Sequence, residues 1–517
     1  MSGEERQLKK IRITLLPAAQ RFILNADKTL TEQEDSAAMG IESPCDGAGF
    51  CGRCRVRFLE NVPPPTSWDR LHFESKELSA GFRLACKAKL DSDSIVVVPN
   101  KPGKVRIQGK EYKYNFAPSA QKTVIHASLS DITDDNRHIL PITILTAYRK
   151  ELTLYSVGSD LTKTEPGASK KQCQGVAAAV RNRRISVWAH DLESGEEIFT
   201  DTVKEISKGQ SLQGLLRAAC LKHGRRLSDI NDALIVTDGT LRIDEEEGNY
   251  KIFGREKPSI CGLAIASMMG ADIQTDAPHM LMSLEPYPWI LLTVGNRCLL
   301  TWDYNGFFRK DLFNFEHDIS DELKPTFAQA IEATIALKRI DLIDDKGLLH
   351  PTSPSRKIPE IEILDIVHND KNLSIRIRTQ TDTFLLSQAH IRQVQRIKGV
   401  LADLQDKLLT KADIDSNELV KIVLAGNSLG FASQKGLKDL GILRASEGTV
   451  IESFPDAEAF GARLMLLSSR AYKDANRLLE TIEATPNPML SRDWASNLYI
   501  STQSKNSHKL KSKEKVL

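Results

Sequence analysis

Four of the eight cysteines are crowded into a 42-residue stretch, and their spacing limits what the front of this chain can fold into. They follow the pattern C-x5-C-x2-C, then 31 residues and a fourth cysteine: Cys45, Cys51, Cys54 and Cys86. In a reducing compartment, clustered cysteines favour metal ligation over disulfides. Three thiolates on one loop and a fourth from a separate strand can bind a [2Fe–2S] cluster, and plant-type ferredoxins use the related C-x4-C-x2-C…C spacing.

The composition of the loop agrees with this interpretation. The segment PCDGAGFCGRC contains Gly47, Gly49 and Gly52. Glycine adopts positive φ readily and lets backbone N–H groups approach the sulfurs closely. Arg53 and Arg55 add positive charge near an anionic cluster, which would raise its reduction potential.

Two alternatives compete with an iron–sulfur cluster. A zinc site usually pairs two C-x2-C knuckles, whereas the second half here supplies a single cysteine. A fortuitous cluster of cysteines is the other alternative. The spacing, the loop glycines and the flanking strand patterns together favour iron–sulfur. The remaining cysteines stand alone and are predicted to be buried thiols: Cys173, Cys220, Cys261 and Cys298.

Length and charge limit the remaining classes of function. The 517 residues suggest about three domains. With 41% hydrophobic and 27% charged residues, the chain is not mainly disordered, collagen-like or a disulfide miniprotein. A net charge of +2 provides no overall field for nucleic acid or membrane. The longest apolar stretches, Pro258–Ala271 and Pro286–Val294, are shorter than the ~18–20 residues of a membrane span. The N-terminus lacks a signal-peptide core, so the predicted location is cytoplasmic.

Apolar and polar residues alternate near the front of the chain, which predicts strands in IRITLL (11–16), CRVRF (54–58) and DSIVVVP (93–99). Three consecutive prolines predict a loop over 61–70. The basic segment 99–122, interrupted by Pro and Gly, is predicted to be an extended connector.

Strand and helix patterns alternate from about Gly175 onward. A turn is predicted at Glu193–Gly195, and apolar residues on one helical face predict a helix over 387–409. The expected domains are a [2Fe–2S] ferredoxin domain over 1–100, a connector and small intermediate unit over 101–172, an α/β domain over 173–503 and a basic disordered tail over 504–517.

These motifs resemble a known family. Residues 10–99, with PCDGAGFCGRCRVRF and GFRLACKAKLDSDSIVVVP, resemble the ferredoxin module of the reductive activators of corrinoid proteins. The C-x5-C-x2-C spacing also resembles adrenodoxin-type ferredoxins. Two later segments, SQAHIRQVQRIKGVLADLQDKL and KIVLAGNSLGFASQKGLKDLGIL, resemble the activators' late helix and closing strand–turn–helix. The resemblance is good over 10–99 and 385–470 and weak between them.

The resemblance implies a fold and a function. The expected fold class is α+β and α/β multidomain: a β-grasp ferredoxin, a connector and a two-lobed α/β domain like those of actin, Hsp70 and sugar kinases. Family members pass one electron through their [2Fe–2S] centre to cob(II)alamin in a corrinoid protein, a step linked to ATP. The implied partners are a corrinoid protein or other redox acceptor and a separate low-potential electron donor. A homodimer is a further expectation carried over from the family.

The phosphate-binding turns depart from the superfamily pattern. The first usually contains D-x-G-T-T, in which the Asp binds Mg²⁺ through water. The position that aligns here, Val180–Asn182, has no Asp, Gly or Thr. The second, D-I-G-T-N in relatives, keeps Gly295 and Asn296 but has Thr293 in place of Asp. Loss of both Mg²⁺-directed positions argues against ATP hydrolysis and predicts a pseudo-ATPase; the alternative is an active site that aligns differently.

One segment keeps a shape suited to nucleotide. The AGNSLG turn (425–430) would approach the adenosine, which makes four residues candidates for nucleotide binding: Gly426, Asn427, Ser428 and Gly430. The pattern is not specific, because any strand-to-helix turn favours glycine.

Two functions from different classes follow. The first is an electron-transfer protein that reduces cob(II)alamin to cob(I)alamin in a corrinoid methyl-transfer protein. The second is a redox-sensing or scaffold pseudo-ATPase that binds a protein partner without ATP turnover. A third alternative is a fused ferredoxin that serves another reductase. No catalytic residue is identified, and the sequence contains no flavin or NAD motif, so the electrons must come from a separate donor.

Overall fold

The computed structural model describes residues 9–17, 19–33, 36, 38–98, 103–126, 151–181, 184–203, 211–239, 250–303, 325–350, 357–358, 361–369, 372–379, 382–487, 498 and 500. The chain divides into two compact units. The first unit contains Met1–Phe253 and Ala462–Asn476, and the second contains Gly254–Gly461 and Arg477–Leu517. Among the described helices, none is both long enough and apolar enough to cross a membrane.

A mixed five-stranded sheet forms the front of the first unit. Its strands are β1 (Lys10–Leu16), β2 (Gln20–Asn25), β3 (Arg55–Phe58), β4 (Phe82–Leu84) and β5 (Ser94–Val97). The spatial order is β2-β1-β5-β3-β4, with β1 antiparallel to β2 and parallel to β5, which is the predicted β-grasp arrangement. The three strands expected from the alternation are confirmed, since the apolar positions of β1 face the core.

Two short helices follow β3. They are α1 (Ser67–His72) and α2 (Ser75–Ser79). The predicted loop over 61–70 is therefore wrong at its C-terminal end. The three prolines do form an irregular segment, but Thr66 caps a helix immediately after them, because its side chain accepts a hydrogen bond from the Asp69 N–H.

The basic segment after the β-grasp sheet is folded, so the prediction of an extended connector is wrong. Strands β6 (Lys104–Ile107) and β7 (Lys110–Asn115) form an antiparallel hairpin. Its two-residue turn places Gln108 and Gly109 at positive φ, as a type I′ turn requires. The side chains that stabilise the hairpin alternate along both strands and are buried: Val105, Ile107, Tyr112 and Tyr114.

A three-stranded sheet comes next. It contains β8 (Ala120–Ile125), β9 (Leu152–Val157) and β10 (Asp160–Pro166), in the order β10-β9-β8. The connector and small intermediate unit predicted over 101–172 include these three strands, whereas residues 127–150 lie outside the described residues.

The last sheet of the first unit begins the α/β region. Its strands are β11 (Gln174–Arg181), β12 (Arg184–Asp191), β13 (Glu197–Val203), β14 (Asp232–Thr237) and β15 (Tyr250–Ile252), and α3 (Leu212–Lys222) lies between β13 and β14 in the chain. The order is β13-β12-β11-β14-β15; β11 to β13 are antiparallel, whereas β14 and β15 are parallel to β11. The predicted turn at Glu193–Gly195 joins β12 to β13.

The second unit contains a six-stranded and a four-stranded sheet. The six-stranded sheet has the order β24-β23-β16-β17-β18-β25 and consists of β16 (His279–Ser283), β17 (Trp289–Val294), β18 (Arg297–Asp303), β23 (Lys421–Ala425), β24 (Val450–Phe454) and β25 (Glu483–Asn487). The other sheet contains β19 (Lys357–Ile358), β20 (Ile361–Asn369), β21 (Asn372–Arg378) and β22 (Thr383–Ser387).

Seven helices complete the described part of the α/β region. They are α4 (Ser259–Gly270), α5 (Phe327–Arg339), α6 (Gln388–Ala412), α7 (Gly426–Gly430), α8 (Gln434–Asp439), α9 (Ala457–Leu467) and α10 (Ser469–Thr481). The helix predicted over 387–409 is confirmed by α6, which buries the expected apolar face that includes Ile391, Val394 and Ile397.

The two units repeat one strand arrangement. In each, three successive antiparallel strands are followed by two strands parallel to the first in the spatial order 3-2-1-4-5, and in the second unit β25 is added beside β18. The amino-acid sequence shows no obvious internal repeat, so the duplication is visible only in the structure. Two similar α/β sheets are the two-lobed architecture that the resemblance implied.

Candidate iron–sulfur site

The clustered cysteines lie on two chain segments that adjoin neighbouring strands of the β-grasp sheet. Cys45, Cys51 and Cys54 lie on the loop that leads into β3, and Cys86 comes two residues after the end of β4. All four side chains are buried, with at most 7% of their surface exposed. The antiparallel pairing of β3 with β4 brings the fourth cysteine back to the loop.

The thiols are arranged as two pairs. Cys51 Sγ donates a hydrogen bond to Cys45 Sγ at 3.1 Å, and the thiols of Cys54 and Cys86 are likewise hydrogen bonded to each other. In a [2Fe–2S] cluster, each of the two irons takes two protein ligands, so two pairs of thiols suit it. Among the described residues, no group of three or more His, Cys, Asp or Glu side chains is gathered around one point, so the thiols stand as two pairs.

Hydrogen bonds make the first thiol of the loop acidic. The bond with the Cys51 thiol and the N–H groups of Gly49, Cys51 and Gly47 lower the pKa of Cys45 to about 6, although burial opposes the shift. The bond to Cys45 and then burial raise the pKa of Cys51, and the bond to Cys86 and then burial raise the pKa of Cys54. A metal ligand must be a thiolate, so the loop supplies donors for the charge that iron ligation requires.

Two loop glycines are required by their surroundings. Gly49 has φ +99°, and a Cβ there would lie 2.9 Å from the Trp68 ring. Gly52 has φ +65°, and a Cβ there would lie 2.8 Å from His72 Nδ1. The predicted need for glycine therefore has a second cause besides conformational freedom, because α1 packs directly against the loop.

Helix α1 contributes side chains that the sequence interpretation missed. His72 Nε2 donates to the Gly49 carbonyl at 2.9 Å. Asp69 is fully buried, and its carboxylate accepts hydrogen bonds from Thr66 and from the Leu84 N–H, each at 2.7 Å. The signal that could have located α1 is the T-x-x-D capping box at Thr66–Asp69, which the preceding prolines obscured.

The sheet around β8 also contacts the cysteine loop. Arg53 Nε donates to Gln121 Oε1 at 2.8 Å, and Thr123 Oγ1 donates to the Cys51 carbonyl at 3.2 Å. Arg55, the second predicted cation, pairs with Glu77 at 3.1 Å. Both arginines are solvent-exposed and flank Cys54 in the chain, so positive charge lies beside this cysteine.

The structure describes the two phosphate turns to different extents. Arg181 pairs with Arg184 at the end of the β11–β12 hairpin, which leaves two residues for the connection; both lie outside the described residues. At the second turn, the hydroxyl of Thr293 is directed at backbone carbonyls, with the nearest, that of Ala277, at 3.1 Å. That hydroxyl is buried and cannot replace a carboxylate near Mg²⁺.

The third candidate turn is filled by a side chain of the protein itself. Glu285 Oε1 accepts hydrogen bonds from the Ser428 N–H at 2.8 Å and from Ser428 Oγ at 2.6 Å. Gly426 has φ +78°, and a Cβ there would lie 1.8 Å from Glu285 Oε2. Gly430 packs against Pro455. The backbone of Asn427 lies in α7 between them. A carboxylate that already binds these donors disfavours a second anion at the same place.

The remaining cysteines are free and buried, as predicted: Cys173, Cys220, Cys261 and Cys298. Burial raises the pKa of Cys173 to about 12 and that of Cys298 to about 11, so these two thiols stay protonated at neutral pH.

Comparison with known proteins agrees with the geometry of the cysteines. Residues 13–91 match the 2Fe-2S iron-sulfur cluster binding domain family. The chain is 33% identical over 95 residues to a component of the Na(+)-translocating NADH-quinone reductase of Chlamydia muridarum, covering 16% of this chain and 22% of that protein. It is 32% identical over 88 residues to the corresponding component from Chlamydia trachomatis serovar D, covering 15% and 20%. The chain spans about a fifth of the length of these curated relatives. It therefore carries a [2Fe–2S] electron-transfer domain.

The chain also matches a solved structure over most of its length. This is a reductive activator for corrinoid, iron-sulfur protein, which aligns with a TM-score of 0.57 and 14% identity and covers 95% of this chain and 98% of that chain. At this identity the likeness concerns the fold alone. The fold expected from the resemblance, a ferredoxin domain followed by a two-lobed α/β region, is confirmed.

Proposed function

We propose that the protein is an iron–sulfur activator that delivers single electrons to the cobalt of a corrinoid protein, and that its α/β region binds this partner without hydrolysing ATP. The observation that carries the proposal is the pair of thiol pairs, Cys45 with Cys51 and Cys54 with Cys86, in a chain with the activator fold. When bound, the [2Fe–2S] cluster supplies a one-electron carrier.

The residues around the cysteines have separate tasks in this proposal. Burial of the four thiols keeps water from the ligands, and the N–H groups of the loop stabilise negative charge on Cys45. The exposed guanidinium of Arg53 lies next to Cys54 in the chain, so an approaching redox partner meets positive charge close to a ligand.

The absence of ATP turnover rests on the second unit. Thr293 stands where relatives have an acidic residue, and its hydroxyl binds backbone carbonyls. Glu285 takes up the donors of the turn at Ser428. Because no nucleotide then supplies free energy, the reducing power must come from a separate low-potential donor.

The test is anaerobic and uses the full chain. The reduced protein, with about two irons per chain, is mixed with a corrinoid iron–sulfur protein poised as cob(II)alamin, with and without Mg–ATP. Visible absorbance follows cob(I)alamin, and electron paramagnetic resonance follows the loss of cob(II)alamin. We expect reduction at a rate that Mg–ATP does not change. Absence of cob(I)alamin would reject the activator role, whereas a strict requirement for ATP would reject only the pseudo-ATPase part.

The degenerate turns also support a second candidate, a redox-sensing scaffold. In that case the cluster would report its oxidation state to a protein partner through binding, and no electron would reach cobalt. The two candidates differ in one measurement. A scaffold binds a corrinoid protein with an affinity that depends on the oxidation state of the iron, without any change in the cobalt spectrum.

A further inference from the structure

Two side chains of helix α1 pack against the cysteine loop. Trp68 and His72 are four residues apart, so they lie on the same face of the helix. The Trp68 ring packs under Gly49 and the His72 ring under Gly52. Since a carbonyl can only accept, the bond from His72 to the Gly49 oxygen fixes the hydrogen on Nε2. Burial lowers the pKa of His72 to about 4, so the ring is neutral at pH 7.

Gly49 makes one hydrogen bond at each end of the residue. Its N–H donates to Cys45 Sγ, and its carbonyl accepts from His72. A glycine at φ +99° has no side chain to restrict it, and without an anchor it would sample other conformations. The contact with His72 therefore holds the Gly49 N–H in the direction of the sulfur.

Helix α1 is itself firmly held, which makes His72 an effective anchor. Asp69, on the same helix, accepts a hydrogen bond from the Leu84 N–H in the strand that precedes Cys86. One short helix thus connects the three-cysteine loop to the strand of the fourth cysteine.

We propose that His72 is a positioning residue of the iron–sulfur site, and that it raises the reduction potential of the bound cluster by keeping the Gly49 N–H directed at Cys45 Sγ. Hydrogen bonds to ligand sulfurs are among the factors that set the potential of an iron–sulfur cluster. They favour the reduced form, because its extra electron increases the negative charge on sulfur. The inference depends on the [2Fe–2S] domain and is independent of the corrinoid partner.

The test measures the midpoint potential of full-length variants by redox titration monitored with electron paramagnetic resonance. His72→Phe keeps a ring in the same space but removes the donor, whereas His72→Gln keeps an N–H donor at a similar reach. For His72→Phe we expect the ratio of reduced to oxidised protein, at the wild-type midpoint, to fall by about tenfold, which is about 59 mV for one electron. His72→Gln is expected to restore the wild-type value.

The matched control is His279→Phe. His279 Nδ1 also contacts a backbone carbonyl, that of Gln274 at 3.1 Å, but it lies in the second unit. This variant should leave the potential unchanged.

Iron content and visible circular dichroism show whether each His72 variant retains the cluster. A wild-type potential in His72→Phe with full iron would overturn the proposal. If His72→Phe loses its iron, the decision rests on His72→Gln. A lowered potential or lost iron in that variant would overturn the role of the donor, and a wild-type potential with full iron would support it.

Discussion

Two glycine-containing turns, one in each unit, direct hydrogen-bond donors at a side-chain acceptor. They differ in whether that acceptor can still bind a ligand. In the cysteine loop, the N–H groups of Gly47 and Gly49 donate to Cys45 Sγ. In the turn at Gly426, the N–H and hydroxyl of Ser428 donate to the buried carboxylate of Glu285. Both turns therefore collect negative charge with backbone donors.

The difference lies in which atom receives the hydrogen bonds. A cysteine sulfur that accepts N–H donors can still ligate iron, because a thiolate has further lone pairs. A carboxylate of the chain that occupies the turn at Gly426 leaves the same donors unavailable to a phosphate or a ribose. The sulfur that receives donors in the first turn can therefore still bind a metal, whereas the donors of the turn at Gly426 are already bound to Glu285.

The largest expected effect comes from removing one thiol of a pair. Cys86→Ala leaves Cys54 without its partner, so one iron lacks a ligand, and we expect iron to fall from about two per chain to nearly none. Cys220→Ala is the matched control, because Cys220 is equally buried but lies in α3. Iron analysis and the visible spectrum provide the measurement. Full iron in Cys86→Ala would remove this residue from the ligand set.

A glycine-to-alanine substitution in each turn tests whether that turn supports iron binding or only the stability of the fold. In Gly49→Ala, the new Cβ meets the Trp68 ring, and we expect most of the iron to be lost. In Gly426→Ala, the new Cβ meets the Glu285 carboxylate. We expect the free energy of unfolding to fall by about 2–4 kcal/mol and the iron content to stay unchanged. Gly109→Ala, at positive φ in open space, should cost only about 1 kcal/mol.

Denaturant titration and iron analysis on the same preparations test these three variants. If Gly426→Ala lost iron and Gly49→Ala kept it, the assignment of the two turns would be reversed.

Removing the Glu285 carboxylate should have a smaller effect on stability, and it tests directly whether this carboxylate prevents nucleotide binding. Glu285→Ala leaves the N–H and hydroxyl of Ser428 without their acceptor, which should cost about 1–3 kcal/mol of stability. We expect no ATP binding by calorimetry in this variant, because Thr293 still replaces the acidic residue. The conservative Glu285→Gln should lose less stability, since its amide oxygen still accepts. Micromolar ATP binding to Glu285→Ala would show that the carboxylate alone closes an otherwise complete site.

The smallest effect is expected at the rim of the cysteine loop. Lys473 pairs with Asp46, and both side chains are about half exposed, at 51% and 44%. Exposed pairs contribute roughly 0–1 kcal/mol and weaken with salt. Lys473→Ala should therefore shift the unfolding free energy by less than about 1 kcal/mol, and the shift should diminish in high salt. Arg106→Ala, which removes another exposed pair, with Glu111, is the control for general surface effects. A loss of several kcal/mol in Lys473→Ala alone would mean that the pair holds the loop in place.

Local sequence patterns predict the arrangement of the cysteine loop, but they do not predict the contact that fills the turn at Gly426. The four cysteines and the alternating strands of the β-grasp sheet are local patterns, and the structure brings the cysteines together as that spacing predicts. Helix α1 was missed because three prolines precede a capping box of only four residues. The contact between Glu285 and Ser428 joins residues 143 positions apart, so no local pattern could indicate it. The hairpin at 104–115 departs from the predicted connector because the alternation of buried residues within it outweighs the Pro and Gly residues around it.

Asp69 has a consequence for how this domain can evolve. Its single carboxylate caps α1 through Thr66 and also fixes the strand that precedes Cys86 through Leu84. Selection for the helix and selection for the cysteine geometry therefore act on one codon. A substitution at Thr66 affects only the helix cap, whereas any substitution at Asp69 affects both the cap and the strand before Cys86. Lineages of this domain should therefore vary at Thr66 before they vary at Asp69.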